Sequence, residues 1–406
     1  MTEVMFGIGL FTGIVMALVL TVLAARAVLV RAVRVAVTVN EDRALAAKSG
    51  QKLLEVLQAN NILIPSACAG AGTCGLCRVE VVDGGGQALA TEQSKLSKAE
   101  LRDGMRLACQ LVLRQDAKIS VPDDVLGTES WDCTVVSNRW LAPLIRELVL
   151  ELPAGATPNL RAGAFVQATA PAYDLDFQTL EVPERFDHIW DQTQLRSLTS
   201  RSPAPVSRAY SIANRPQDIG KVVLNIRLAL PPPAIAGAPP GIVSSYLFTA
   251  TPGQTLALSG PYGSFGAQNT EREMVFIGGG VGMAPLRAII FDQLTRLKTS
   301  RRMSYWYGAR SGIELFYEDE FNQLQTDHPN FNWTVALSDP KPEDGWDGPV
   351  GFIHDVVIEA FLKAHPAPED CEYYLCGPPL MIRAVVAMLE DYGVDPSSIF
   401  NDDFGV

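Results

Sequence analysis

Cys68, Cys74, Cys77 and Cys109 stand in the pattern C-x5-C-x2-C-x31-C within a stretch of small residues, and no other feature restricts the fold of this chain as tightly. Four thiolates, three from one tight loop and one from a later position, are the ligand set of a 2Fe-2S cluster. Such a loop must curl closely enough to aim backbone N–H groups at sulfur. Ala69, Gly70, Ala71, Gly72, Thr73 and Gly75 are small enough to allow it. The first gap is one residue longer than the plant-type spacing, so the loop differs in detail. A structural zinc site also takes four thiolates, but commonly from two C-x2-4-C knuckles, and the distal knuckle is missing here. Disulfides are the other competing reading. Cys133, Cys371 and Cys376 remain over, an odd number without framework spacing, which fits free thiols in a reducing cytosol. The cluster is therefore the expected occupant, and electrons handled singly the expected chemistry.

A chain of 406 residues is long enough for two to four domains. Its formal net charge of -12 leaves no basic excess with which to displace counterions from a phosphate backbone, so nucleic acid is excluded as a partner class. His188, His328, His354 and His365 are scattered without metal-ligand spacing. Val4 to Ala25 carries no charge. As a helix it would reach about 33 Å, enough for a hydrocarbon core of about 30 Å. A signal peptide carries its positive charges before the apolar run, whereas Arg26, Arg31 and Arg34 follow it. The expectation is a single transmembrane anchor over 1–34 whose arginines keep the remainder on the cytoplasmic side.

Beyond the anchor, Val35 to Asn40 alternates like a strand, and Gln51 to Ala59 places Leu53, Leu54, Val56 and Leu57 at helical spacing. A strand is expected over Arg78 to Val82, a capping box at Ser97-Lys98-Ala99-Glu100, and further strands over Cys109 to Leu113 and Lys118 to Val121. Short strands, one helix and a cluster loop describe a β-grasp ferredoxin domain over 35–127. From 128 to 270, short strands punctuated by Gly and Pro predict an antiparallel β-barrel. Ala172 to Val206 interrupts it as a polar and aromatic insertion of weak periodicity. From 271 to 406, strands alternate with helices, which predicts a parallel sheet. The fold class is thus α+β and α/β, multidomain.

Arg208-Ala209-Tyr210-Ser211 offers a fork for pyrophosphate, a ring for an isoalloxazine face and a hydroxyl near N5, which suits a flavin. The bland reading is an ordinary strand with an exposed Arg and a packed Tyr. Gly241-Ile242-Val243-Ser244 opens a helix that could receive phosphate, and Gly260-Pro261-Tyr262-Gly263 ends the barrel. Gly278, Gly279, Gly280 and Gly282, in Ile277-Gly278-Gly279-Gly280-Val281-Gly282-Met283-Ala284-Pro285, join a strand to a helix as a dinucleotide loop requires. Pro285 stands where a strict G-x-G-x-x-G has its third glycine. A glycine-rich turn used only for packing is the alternative, but Arg310 in Tyr307-Gly308-Ala309-Arg310 and Cys376 in Cys376-Gly377-Pro378-Pro379 add two more strand ends. Ligands gather at the carboxyl ends of parallel strands, which puts Cys376 close to a nicotinamide.

Together these motifs resemble the ferredoxin-NADP reductase superfamily with a fused 2Fe-2S domain. More closely, the anchor, the cluster spacing, the insertion and the ending Asn401-Asp402-Asp403-Phe404 resemble the F subunits of Na+-translocating NADH:quinone reductases over the whole chain. The resemblance implies that the four cysteines hold the cluster, that Arg208, Tyr210, Ser211 and Ser244 bind FAD, and that Phe404 covers the flavin ring. It implies NADH as substrate, Ser211, Cys376 and Phe404 at the hydride transfer, and onward passage of single electrons. Its implied partners are membrane subunits of the same complex, with quinone as final acceptor and sodium export, in a bacterial inner membrane. The rivals are the reductase component of a bacterial oxygenase, which usually lacks an anchor, and a tethered scaffold that has lost turnover.

Overall fold

A computed structural model describes residues 7, 10–21, 33–66, 68, 70–126, 128–231 and 238–402. It divides into two compact units, Met1–Ile62 with Cys77–Pro122, and Leu63–Leu76 with Asp123–Val406. Residues 10–21 are helical and exposed, whereas the rest of the apolar run Val4 to Ala25 lies outside the described residues apart from Gly7. Among the described residues no helix is long and apolar enough to cross a membrane.

In the first unit, β1 (Arg34–Val39) and β2 (Arg43–Lys48) form a hairpin whose turn residues Asn40 and Glu41 both have positive φ. Val35, Val37 and Val39 point inward at period two, as their alternation predicts. With β3 (Arg78–Asp83), β4 (Met105–Leu107) and β5 (Ala117–Ser120) they make a sheet of order β2-β1-β5-β3-β4, in which β1 and β5 are parallel and the other pairs antiparallel. The helix Leu53–Ala59 buries Leu53, Leu54, Val56 and Leu57. Ser97 and Glu100 close the expected capping box on the helix Lys98–Arg102. One expectation is displaced. The strand ends at Leu107, so Cys109 lies in the following turn, and Val112 makes only an isolated bridge to Lys52. The Gln110 and Leu111 N–H groups turn back to the Leu107 carbonyl, which bends the chain where a continuing strand would have run straight.

In the second unit, β6 (Glu129–Ala142), β7 (Ile145–Glu151) and β8 (Phe165–Ala170) begin the barrel. The insertion follows as a hairpin of β9 (Tyr173–Asp176) and β10 (Thr199–Ser202), with the helix Glu184–Gln192 between them. Then β11 (Val206–Ser211), β12 (Lys221–Arg227) and β13 (Thr255–Tyr262) complete an antiparallel sheet of order β11-β8-β13-β6-β7-β12. Its two edges meet through the Ile212–Leu224 bridge and the Ala213 N–H to Val223 carbonyl bond of 2.7 Å. Closure removes the exposed edges.

Weak periodicity in the insertion conceals a packed element. Trp190 is fully buried, stacks at 6.2 Å on Phe248, meets Trp140 edge-on at 5.6 Å, and donates its indole N–H to the Pro143 carbonyl at 2.8 Å. Replacing it with alanine should destabilise this unit by about 3–5 kcal/mol, read as a lower denaturant midpoint. Trp190→Phe should cost less, because it keeps much of the ring burial while losing the bond to Pro143.

The remaining strands, β14 (Met274–Gly279), β15 (Met303–Ala309), β16 (Phe331–Leu337), β17 (Glu372–Cys376) and β18 (Ile399–Asn401), form an all-parallel sheet of order β16-β15-β14-β17-β18. Every residue of β14 and β17 is buried, the pattern of strands covered on both faces.

Candidate redox site

The order of this sheet reverses at β14, which lies between β15 on one side and β17 on the other. Ligands bind at the carboxyl ends of strands flanking such a switch point. The register places Cys376 beside Gly278 there. From β14 the chain makes a single turn over Gly280–Gly282 and enters the helix Met283–Phe291. Gly280 has a φ of +56°, and a Cβ on Gly282 would sit 1.9 Å from the Cys376 carbonyl oxygen, so neither position accommodates a side chain without strain. Gly278 and Gly279 pack instead, against Leu286 with Tyr305 and against Met381. The Tyr307 hydroxyl donates to the Gly280 carbonyl at 3.1 Å and pins the loop. Arg310 is exposed just beyond the end of β15, its N–H 3.3 Å from Glu314.

Arg208, Tyr210 and Ser211 lie on β11, half-buried. Arg208 donates to the Ser207 carbonyl at 2.8 Å and makes no ion pair among the described residues. Burial raises the Tyr210 phenol above its ordinary range, with Arg208 opposing, so it stays protonated and apolar-faced. The Ser244 hydroxyl donates to Gly241 at 3.0 Å and accepts from the Ala229 N–H at 3.2 Å. It must turn from Gly241 before it can donate to a phosphate. Phe404 lies outside the described residues.

Ser211 and Cys376 are drawn together by a residue whose role sequence reasoning missed. The Ser211 hydroxyl donates to the Asp402 carboxylate at 2.9 Å, and the Cys376 thiol lies 3.6 Å from the Asp402 carbonyl oxygen. Only the acidic composition of the chain end hinted at it. One barrel strand and one parallel strand thus deliver a hydroxyl and a thiol to a single carboxylate-bearing residue.

The four cysteines expected at the cluster fall in two pairs along the chain. Cys68 and Cys74, in the loop of the second unit, hold their sulfurs 3.3 Å apart. Burial pushes the Cys68 thiol up, but the N–H groups of Cys74, Thr73 and Gly72 and the Cys74 side chain outweigh it and bring it down to about 7. The direction suits a thiolate, which the donor set of a cluster requires. Gly70, Gly72 and Gly75 all have positive φ, which lets the loop turn its amides inward. Ser66 Oγ is buried and finds no partner among the described residues, and the Ser66 carbonyl accepts from Gln167 of β8 at 3.4 Å. In the first unit, Cys77 precedes Arg78, which pairs with Leu107, and its carbonyl accepts from the Ala108 N–H at 2.8 Å. The Gln110 side-chain amide donates to the Cys109 sulfur at 3.4 Å, and the Thr91 hydroxyl donates to the Gln110 side-chain amide oxygen, Oε1, at 3.2 Å. Within each unit the residue types present, thiols beside inward backbone N–H groups in one and thiols beside a strand end and a side-chain amide in the other, fit the donor chemistry of a 2Fe-2S cluster.

One histidine does meet other ligand types. His365 Nε2 is 3.3 Å from Glu273 and 3.8 Å from the Cys371 sulfur, at the opposite ends of the strands. Its Nδ1 accepts from the Ala367 N–H at 3.2 Å, so the ring proton sits on Nε2, facing Glu273, and no lone pair is directed at the group.

Three family models match in sequence: a 2Fe-2S iron-sulfur cluster binding domain over 37–114, an oxidoreductase FAD-binding domain over 194–266 and an oxidoreductase NAD-binding domain over 276–387. The F subunit of the Na(+)-translocating NADH-quinone reductase of Methylococcus capsulatus is 50% identical over 406 residues, covering 100% of both chains. That of Yersinia enterocolitica is 48% identical over 405 residues, 99% of this chain and 100% of its own. Among solved structures, the Amycolatopsis cytochrome P450 reductase GcoB superposes with a TM-score of 0.63 at 26% identity, over 91% of this chain and 98% of its own. The switch-point loop, the flavin strand and the cysteine loop therefore sit in an oxidoreductase with 2Fe-2S, FAD-binding and NAD-binding domains, and the chain belongs to the family of F subunits of Na(+)-translocating NADH-quinone reductases.

Proposed function

We propose that this chain is the electron-input subunit of a membrane complex, taking electrons from NADH and passing them singly toward membrane partner subunits and quinone, with sodium export as the coupled process. The observation that carries this reading is the meeting of Ser211 and Cys376 at Asp402, one from the flavin strand and one from the switch point. When bound, the flavin and the cluster supply the conversion of a two-electron hydride into single electrons. Arg208 and Ser244 would hold the flavin's phosphates, and Tyr210 would offer its ring to one face. Ser211 would orient the reacting edge, and Phe404, which lies outside the described residues, would be the aromatic at the other ring face. Gly280 and Gly282 admit the dinucleotide backbone to the helix start, with Gly278 and Gly279 packed beneath and Arg310 alongside. Cys68, Cys74, Cys77 and Cys109 ligate the cluster. The domains proposed are the anchor at 1–34, the ferredoxin domain at 35–127, the flavin barrel at 128–270 and the nicotinamide domain at 271–406.

The anchor reading is supported by exposed apolar side chains around the helical 10–21 segment, including Leu10, Phe11, Ile14, Leu18 and Leu20. A helix apolar on all sides suits lipid better than water. Arg26, Arg31 and Arg34 favour a cytoplasmic body on an inner-membrane anchor. Removing residues 1–33 should leave NADH oxidation with a soluble artificial acceptor close to the parental rate. Quinone reduction in membranes should fall by about 100-fold, because an anchor raises the effective concentration of two proteins sharing one bilayer. Full recovery of quinone reduction by the truncated chain would overturn the membrane-complex reading and favour a soluble acceptor, as in an oxygenase reductase.

A further inference from the structure

Arg287 lies on the helix Met283–Phe291, one turn beyond the glycine loop, and is 2% exposed. A buried guanidinium must find partners for all its donors. It donates through Nη1 to the Ala213 carbonyl. Through Nε and Nη2 it grips both carboxylate oxygens of Glu320, at 2.8 and 3.0 Å. Ala213 lies two residues beyond Ser211, and its own N–H is fixed to Val223 at 2.7 Å. One side chain therefore ties the dinucleotide helix to the segment bearing Ser211.

A second tie runs beside it. The Arg287 guanidinium lies 4.4 Å from the centroid of the Tyr317 ring, whose hydroxyl donates to Glu147 of β7 at 2.5 Å and lies 3.0 Å from the Asn225 amide oxygen of β12. Arg139 of β6 closes on the other Glu147 oxygen at 2.5 Å, and Arg215 adds a 3.3 Å contact to Glu320. Tyr317 has a φ of +62°, a left-handed conformation that a bulky residue adopts only when its surroundings hold it there. Backbone strain, a buried charge and a buried phenol converge where the nicotinamide sheet meets the flavin barrel.

We infer that Arg287 and Tyr317 are positioning residues that fix the distance and angle between the dinucleotide loop and the Ser211 end of β11, and so set hydride donor against acceptor. The inference rests on the proposed NADH-to-flavin function. Neither residue is a catalytic residue, since each acts through Ala213, Glu147 and Glu320. Rate is sensitive to such placement because an error of about 1 Å between reacting atoms costs on the order of 100-fold.

The test uses the full-length chain with FAD and cluster, mixed anaerobically with NADH in single turnovers. Tyr317→Phe removes only a hydroxyl and should retain flavin content and cluster absorbance. Its limiting rate of flavin reduction should fall about tenfold, with NADH affinity changed less than about twofold, and the nicotinamide–flavin charge-transfer absorbance should weaken. Arg287→Met should fall further, by about 100-fold, and Arg287→Lys, which can still reach one of the two partners, should recover part of the loss. If the parental protein is not reduced by NADH, the functional reading fails. If it is reduced and Tyr317→Phe matches it in rate and charge-transfer absorbance, the positioning inference alone fails. A rate loss that merely tracks lost flavin or a lowered melting temperature would equally refute positioning.

Discussion

Cys74→Ser is expected to give a chain that holds no iron-sulfur cluster yet still binds FAD and is reduced by NADH at close to the parental rate. The two halves of that result have separate causes. Cys74 serves the loop twice, as a proposed cluster ligand and because its N–H and side chain both lower the pKa of the Cys68 thiol. A serine hydroxyl titrates far above a thiol and cannot take over either role, so two of four ligands are weakened by one substitution. The flavin and nicotinamide matches cover 194–266 and 276–387, stretches that share no residue with the cluster match over 37–114. Iron and sulfide content should fall to background, with loss of the reduced cluster's paramagnetic signal. NADH-dependent quinone reduction in the assembled complex should drop by about 100-fold or more. Stopped-flow reduction of the flavin should be nearly unchanged. Quinone reduction at the parental rate would show that electrons bypass the assigned cluster.

Sequence pattern was most informative where chemistry restricts residue type along a short run. The cysteine loop, the strand Val206–Ser211 and the glycine turn all form as the local elements expected, because loops and tight turns demand small residues at fixed spacing. β14 and β17 fell within the expected alternation of strands and helices, but their burial on both faces was not legible at β17, which carries Glu372 paired with Arg301 inside an otherwise apolar run. The fourth cysteine was misassigned to a strand because Cys109 to Leu113 has strand-like composition, while the backbone bonds to Leu107 that bend it leave no trace in residue type. Trp190 shows a different limit. Its helix is amphipathic and buries Phe186 and Trp190, but those nine residues lie inside a long, mostly polar insertion that as a whole shows little period, so the element was not picked out. Asp402 shows the third. It acts on Ser211 across 191 positions of chain, and a contact of that kind is set by the closure of two sheets and by nothing adjacent to either residue.

Asp402→Ala is expected to slow flavin reduction by NADH by about 100-fold, with little loss of bound flavin. The carboxylate holds the Ser211 hydroxyl at 2.9 Å, and the Asp402 carbonyl lies 3.6 Å from the Cys376 thiol. The backbone there is independently anchored, since the Asp402 N–H donates to the Leu375 carbonyl at 3.0 Å and β18 pairs with β17. The substitution should therefore release the Ser211 rotor without unfastening the strand. Ser211→Ala breaks the same bond from the other side. Two residues that act through one shared contact are not additive, so the double variant should be no slower than the slower single variant. Arg208→Leu should show the opposite bias, with low flavin content and a nearly parental rate in the fraction that retains flavin, because the role proposed for its guanidinium is at the phosphates and not at the reacting edge. Single-turnover rates and flavin-to-protein ratios on the four variants decide the matter. If the losses from Asp402→Ala and Ser211→Ala multiply in the double variant, the two residues act independently and the Ser211–Asp402 contact is not what sets the rate.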